Sequence, residues 1–246
     1  MIRFHGGPCT PIEAAIELWT RRHALISFAY PQQVDLALRV AHSVVLDNGA
    51  FSSWESGTVI DWEEYGKWIE DYWRHPGFAF CFIPDVIDGN EKDNDDLLEW
   101  WSDKPYAVAG VPVWHMHESF ERLDRLVRNY EIVAIGSSGE FSEVGTLRWW
   151  QQMSNAMAVA CDADGIPRCK LHGLRQMDST VFSHIPYSFV DSARVARSAG
   201  VDKSVPRAYR HLPPKARALV MAFDADMHGS APRWLGTIAS QKNMGF

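Results

Sequence analysis

The sequence predicts an α/β protein built as a single-domain (β/α)8 barrel of the TIM type. Eight short apolar runs rich in β-branched and aromatic residues recur along the chain. Longer segments with helical spacing separate them, the alternation that a parallel sheet wrapped by helices requires. The 246 residues also match the roughly 250 that such a barrel commonly takes. A doubly wound sheet is the competing architecture. No Gly-x-Gly-x-x-Gly fingerprint follows the first strand, however, and Gly6-Gly7-Pro8 is too short to replace it.

The predicted strands are 2–6, 24–30, 43–47, 78–83, 107–113, 132–136, 169–173 and 186–190. The first helix, Pro11 to Arg22, has proline near its start and Ile12, Ile16 and Trp19 along one face. Asp61 to Arg74 opens with an acidic turn and carries Trp62, Tyr65, Trp68, Ile69 and Trp73 on a broad apolar face. Glu118 to Tyr130 repeats Phe120, Leu123, Leu126 and Val127. Ser142 to Ala160 opens on an N-cap serine and runs out near Asp164-Gly165. The eighth helix is expected within 213–223. There is no internal repeat and no low-complexity tail.

Composition sets the broad class. Hydrophobic residues make up 46% of the chain, ample for a core, yet no apolar stretch approaches the roughly 20 residues of a membrane span. The first residues lack the layout of a signal peptide, and Cys9, Cys81, Cys161 and Cys169 are scattered as in buried, reduced thiols. The expectation is a cytoplasmic protein, in the host cytoplasm if phage-encoded. The net charge of −7 argues against nucleic-acid binding, but one segment runs the other way. Between Arg194 and Arg217 lie Arg194, Arg197, Lys203, Arg207, Arg210, Lys215 and Arg217 against a single acid, Asp202. That patch reads equally as a phosphate-tracking footprint or as a solvated helical face.

Chemistry is expected at the carboxyl ends of the strands, where parallel α/β enzymes keep it. Two aspartates each close an apolar run: Asp47 in Val-Val-Leu-Asp-Asn-Gly-Ala-Phe (44–51) and Asp191 in Ser-Phe-Val-Asp-Ser-Ala-Arg (188–194). The same rim would hold Asp85, His115, His117, Gly136, Ser137, His172 and Gly173. Each has a plain alternative: Asp47-Asn48-Gly49 as a turn, Asp85 as a helix cap, His172 as a hydrogen-bonded core histidine. Grouped on one rim they favour a site.

Two chemistries compete for it. His115-Met116-His117, with His172 and Asp191, resembles the ligand set of a metal-dependent hydrolase, although the His-x-His falls on the fifth strand rather than the first. Paired carboxylates without metal suit attack at an anomeric carbon, one as nucleophile and one relaying protons. A third option is a catalytically inactive nucleic-acid or nucleobase binding module.

The order of the motifs resembles the tRNA-guanine transglycosylase superfamily. Asp47-Asn48-Gly49-Ala50-Phe51 looks like its Asp-Ser-Gly-Gly-Phe motif. Val111-Pro112-Val113-Trp114-His115 falls where the family has Gly-Ile-Val-Gln, and Ala134-Ile135-Gly136-Ser137-Ser138-Gly139-Glu140 resembles its Ala-Ile-Gly-Gly segment. Lys170-Leu171-His172-Gly173-Leu174 sits where it reads Leu-Met-Gly-Val-Gly. Phe189-Val190-Asp191, with Arg197 six residues on, matches the spacing of its nucleophile motif. The likeness runs from about Val44 to Arg197.

This resemblance implies that Asp191 attacks C1′ of a guanosine nucleotide and that Asp47 is the acid/base. Asp85 would hold the Watson–Crick edge of the purine, with backbone contacts from Gly136 and Ser137. His115 replaces the family's base-contacting glutamine and Ser137 its second glycine. Phe51, Trp54 and Trp114 would stack on an extruded base, while Trp62, Trp68, Trp149 and Trp150 are expected in the core. Arg194, Arg197, Lys203, Arg207 and Arg210 would track phosphates. The family's zinc cysteines are missing, since no cysteine follows Cys169. The chain therefore most resembles the zinc-less, DpdA-like branch of phages and bacterial DNA-modification clusters. That implies DNA (or tRNA) and a 7-deazaguanine base as partners, no metal, no cofactor and no membrane. A homodimer is one option for its oligomeric state.

Overall fold

Strand alternation decides which side chains meet inside this protein. The structure is a computed structural model and describes residues 1–199 and 207–236. In chain order the elements are β1 (Ile2–Gly6), α1 (Ile12–Trp19), β2 (His23–Ser27), α2 (Val34–Val40), β3 (Ser43–Asp47), α3 (Ala50–Ser56), α4 (Trp62–Tyr72) and β4 (Phe78–Phe82). There follow α5 (Glu91–Ser102), β5 (Gly110–Val111), β6 (Val113–His115), α6 (Phe120–Asn129), β7 (Ile132–Gly136), α7 (Leu147–Ala160) and β8 (Lys170–Gly173). The last are α8 (Ser179–Phe182), β9 (Phe189–Ser192), α9 (Arg194–Ala199) and α10 (Pro214–Asp226).

The nine strands form one sheet in the order β5-β4-β3-β2-β1-β9-β8-β7-β6, and every pairing is parallel. The sheet is barrel-like and nearly closed. Its two edge strands, β5 and β6, are consecutive in the chain and separated only by Pro112, whose ring leaves no N–H for a ladder bond. The Pro112 carbonyl still accepts from Ala134 N–H at 2.9 Å. Among the described residues no helix is long and apolar enough to cross a membrane.

Three apolar clusters follow from the period-two pleat. Phe4, Leu25, Val45, Phe80, Phe82, Val111, Val113 and Ala134 point inward and fill the sheet's interior. Their neighbours point out and pack under the helices. Ala24, Ile26, Val44, Leu46 and Cys81 join α1, α2 and α4 on one flank. Trp114, Val133, Ile135, Leu171 and Val190 join α6 and α7 on the other. Helix starts are fixed by side-chain caps: Asp61 for α4, an Asn90/Asp93 capping box for α5, Ser119 for α6 and Thr146 for α7.

Several expected boundaries move. The second strand ends at Ser27 rather than residue 30, because the chain turns there with Tyr30 N–H bonded to the Ser27 carbonyl. Residues 107–109 form a 3-10 turn, so the fifth run pairs only from Gly110 and continues to His115. The last strand is 189–192, since Pro186 and a turn at Ile185–Tyr187 precede it. The helix expected from Ser142 starts at Leu147, after a 3-10 turn, and its cap is Thr146. Helices α2, α3 and α8 are not among the expected elements; the helix expected after Asp85 is α5, which has little apolar periodicity and is announced by its capping box. Three of the four cysteines are buried and Cys169 is half-buried, all of them free thiols.

Candidate active site

The inward-facing registers Phe4, Val45, Val113, Ala134 and Phe189 each lead, two residues on or by direct pairing, to a polar group at the carboxyl end of the sheet. Val45 leads to Asp47, Val113 to His115, Ala134 to Gly136 and Phe189 to Asp191. Because all strands are parallel, these ends share one rim. Ser27 lies beside Asp47, His115 beside Gly136, and Phe4 beside Asp191 in the registers.

Asp191 is buried, and both of its carboxylate oxygens are engaged. His172 Nε2 lies 2.7 Å from Oδ2, and the backbone N–H of Arg175 donates to Oδ1 at 3.1 Å. His172 is itself fully buried, boxed by Phe4, Phe80, Phe82 and Phe189 with ring centroids 5.1 to 6.0 Å away. A carboxylate facing this Nε2 makes it the proton-bearing nitrogen, which leaves Nδ1 as a buried atom with no hydrogen-bond partner among the described residues.

Asp47 is treated differently. Its Oδ2 accepts the Gly49 N–H at 3.1 Å, which the left-handed glycine (φ 80°) presents, and the Ser27 hydroxyl also bonds it. No cation hydrogen-bonds it among the described residues. Burial pushes its pKa up to about 7, and the nearby Asp191 and Asp85 carboxylates push the same way, against the two hydrogen bonds. The three aspartates therefore share one electrostatic neighbourhood.

Asp85 does not cap the next helix; Asn90 does. Instead it lies buried between two donors, Asn48 Nδ2 at 2.6 Å from Oδ1 and His115 Nε2 at 2.8 Å from Oδ2. Asn48 is pinned in turn by the Ile83 carbonyl and the Ala50 N–H. His115 is held from behind by Glu118, which accepts the His115 N–H at 2.8 Å and pairs with buried Arg122 at 2.6 Å. His115 Nδ1 has no hydrogen-bond partner among the described residues and faces Gly136, where an added Cβ would sit 3.2 Å from it. Only glycine leaves that nitrogen clear.

Other expected residues part from the rim. Trp114 is fully buried in the outer layer, its indole bonded to the Ser119 carbonyl, because the pleat sends it opposite to His115. It cannot stack on a base. Trp149 is fully buried, and Trp62, Trp68 and Trp150 pack against the cores. Trp54 is half exposed, 5.7 Å from the Phe51 ring. The Ser137 hydroxyl turns to Trp149 and Gln176, leaving the backbone for any contact at this position.

The His-x-His rings stay stacked, with centroids 5.7 Å apart, but they serve different partners. β6 ends at His115, and a turn with Glu118 N–H on the His115 carbonyl sets His117 against the Ser138 hydroxyl. His115 belongs to Asp85 and His172 to Asp191. Among the described residues no group of three or more His, Cys, Asp or Glu is placed to share a metal ion, so the four ligands of the hydrolase alternative are not brought together.

Of the basic segment, Arg194 lies 3.6 Å from Asp178, and Arg197, Arg207 and Arg210 are exposed. Lys203 lies outside the described residues. Lys215 pairs with Glu17, and Arg217 ties α10 to the Ser198 and Leu212 carbonyls. Sequence reasoning missed Arg175, whose guanidinium carbon lies 3.4 Å from the Phe51 ring centroid. A cavity of about 830 Å³, lined by Arg128, Arg168, Lys170 and Tyr187 among others, opens at the opposite, amino end of β7–β9. The buried carboxylates and their histidines gather instead at the carboxyl end. No protein-family model matches the chain, and no curated protein matches it.

Proposed function

We propose that the chain is a base-exchanging transglycosylase. It would replace guanine in a polynucleotide, DNA in preference to tRNA, with a 7-deazaguanine derivative through a covalent glycosyl-aspartate. The observation that carries the reading is the unequal treatment of two neighbouring carboxylates: Asp191 is braced on both oxygens, while Asp47 titrates near neutrality. A carboxyl raised by burial beside a carboxylate held by fixed donors suits a division of acid/base and nucleophile work. In this reading residues 110–115 count as one strand broken at Pro112, which makes the sheet a (β/α)8 barrel.

The steps follow from these positions. An Asp191 carboxylate oxygen attacks C1′ as the bond from C1′ to guanine N9 breaks. Protonated Asp47 gives its proton to the departing base, leaving a glycosyl ester on Asp191 and an ionised Asp47. The incoming base loses its N9 proton to Asp47, and that nitrogen attacks C1′ and releases Asp191. A group near pH 7 serves both proton transfers. Asp85, fixed by Asn48 and His115, would receive the N–H edge of the purine on its remaining lone pairs. The absence of any cysteine after Cys169 supports the zinc-less, DNA-acting branch.

The test is direct. DNA or tRNA carrying labelled guanine is incubated with the folded protein and a 7-deazaguanine. Release from DNA is expected; no release from either polynucleotide would overturn the reading.

A further inference from the structure

Arg175 carries a conformation that its own side chain makes costly. Among the described residues only Arg21 and Arg175 combine a side chain with positive φ, 62° and 59°. Arg21 follows the C-cap Thr20 of α1, where a left-handed residue commonly ends a helix. Arg175 has no helix to end. It follows β8, and its backbone turns so that its N–H reaches Asp191 Oδ1. Glycine would adopt that backbone without steric cost, so the turn alone does not call for an arginine.

The side chain shows what the arginine adds. Its guanidinium carbon sits over the Phe51 ring, 3.4 Å from the centroid, and a guanidinium carries its five N–H donors around its edge. No carboxylate forms an ion pair with it among the described residues, although Asp191, Glu55 and Asp47 are within electrostatic reach. Arg197 is near enough to repel it. Two exposed cations thus sit together beside Asp191, neither with an ion-pair partner among the described residues. A planar fork of this kind fits the tetrahedral oxygens of a phosphate.

We propose that Arg175 is a phosphate-binding subsite that grips a phosphodiester flanking the target nucleotide and so sets its C1′ over Asp191. The identity of the anion rests on the base-exchange reading. Arg175 would be a positioning residue through its backbone N–H and a ligand for substrate through its guanidinium.

The test uses a fluorescent single-stranded oligodeoxynucleotide with one guanosine, titrated against the full chain from low to moderate salt. Arg175→Gly suits the backbone and should melt no lower than the parent, yet bind about tenfold more weakly. Its salt dependence should flatten by about 0.7 in log–log slope, the loss of one phosphate contact to a single strand. Arg175→Lys, which keeps the charge without the fork, should fall between. A neutral methylphosphonate next to the guanosine should weaken the parent but leave Arg175→Gly unaffected. Parent-like affinity and slope in Arg175→Gly, or equal weakening of both proteins by the neutral linkage, would overturn the proposal. Guanine release, followed in parallel, reports on the exchange reading separately, because the phosphate contact is read from binding alone.

Discussion

Asp47 and Asp226 are both carboxylates set against the sheet, one at its mouth and one on its outer flank, and the protein moves them in opposite directions. At Asp226, burial works to raise the pKa, but His5, 3.9 Å from Oδ1, and the hydrogen-bonded Arg22 guanidinium outweigh it and hold the carboxyl below its usual range. Arg22 Nε lies 2.7 Å away. At Asp47, burial acts the same way but only a hydroxyl and an amide oppose it, and two further carboxylates reinforce it. Each region also contains a buried histidine near an aspartate, His5 with Asp226 and His172 with Asp191. A histidine–aspartate pair therefore does not identify a site. What separates the two regions is whether a cation satisfies the carboxylate.

Substitutions should widen or erase this contrast. Asp191→Asn should have the largest effect, abolishing guanine exchange by at least about 10⁴-fold if the ester is obligatory. It should also lower the pH at which Asp47 titrates, because one of the charges opposing ionisation is gone. A carboxyl-specific NMR titration checks the second outcome without relying on activity.

Asp47→Asn should slow exchange by about 10²–10³-fold, the usual worth of a positioned proton carrier. The same change should stabilise the fold at pH 8. Asp47 is protonated in the folded state up to about pH 7 but ionised in the unfolded chain above 3.8. The native state therefore loses stability as pH rises from about 4 to 7. Replacing the acid with its neutral isostere should recover up to about 4 kcal/mol at pH 8, less at pH 5 and nothing below pH 4. Urea unfolding at the three pH values measures this.

Asp226→Asn should do the reverse and do less. The depressed carboxyl stabilises the fold above its unfolded value and loses that effect as pH falls through its folded value. With one third of the side chain exposed, removing it should cost about 1 kcal/mol at neutral pH. Exchange should be unchanged, and the difference in stability should vanish in strong acid.

Much of this was legible in the sequence, for reasons that the strands make plain. Asp47 and Asp191 each follow an apolar run at the spacing that places an inward side chain at its end, so their common rim could be read directly. The same pleat was overlooked one residue away: Trp114 and His115 were both assigned to the mouth, although adjacent strand residues face opposite sides. The two histidines of His115-Met116-His117 do come together, their rings stacked 5.7 Å apart, but Asp85 and Ser138 hold them separately, which their spacing does not reveal. Asn48 and the Glu118–Asn94 contact were beyond reach, because Asp85 reaches Asn48 from the loop after β4 and Asn94 reaches Glu118 from α5; Glu118 and Arg122, four residues apart, were the readable pair. Arg175 was hidden for a similar reason, since nothing in Gly-Leu-Arg-Gln announces a left-handed arginine.

The most direct test of the central claim is to trap the ester. The protein is mixed with guanosine-containing DNA without incoming base, denatured, and searched by peptide mass spectrometry for an attached sugar. The account predicts a covalent DNA–protein species mapping to Asp191, retained in Asp226→Asn and lost in Asp191→Asn. An adduct on any other residue, or none while guanine is being released, would contradict it.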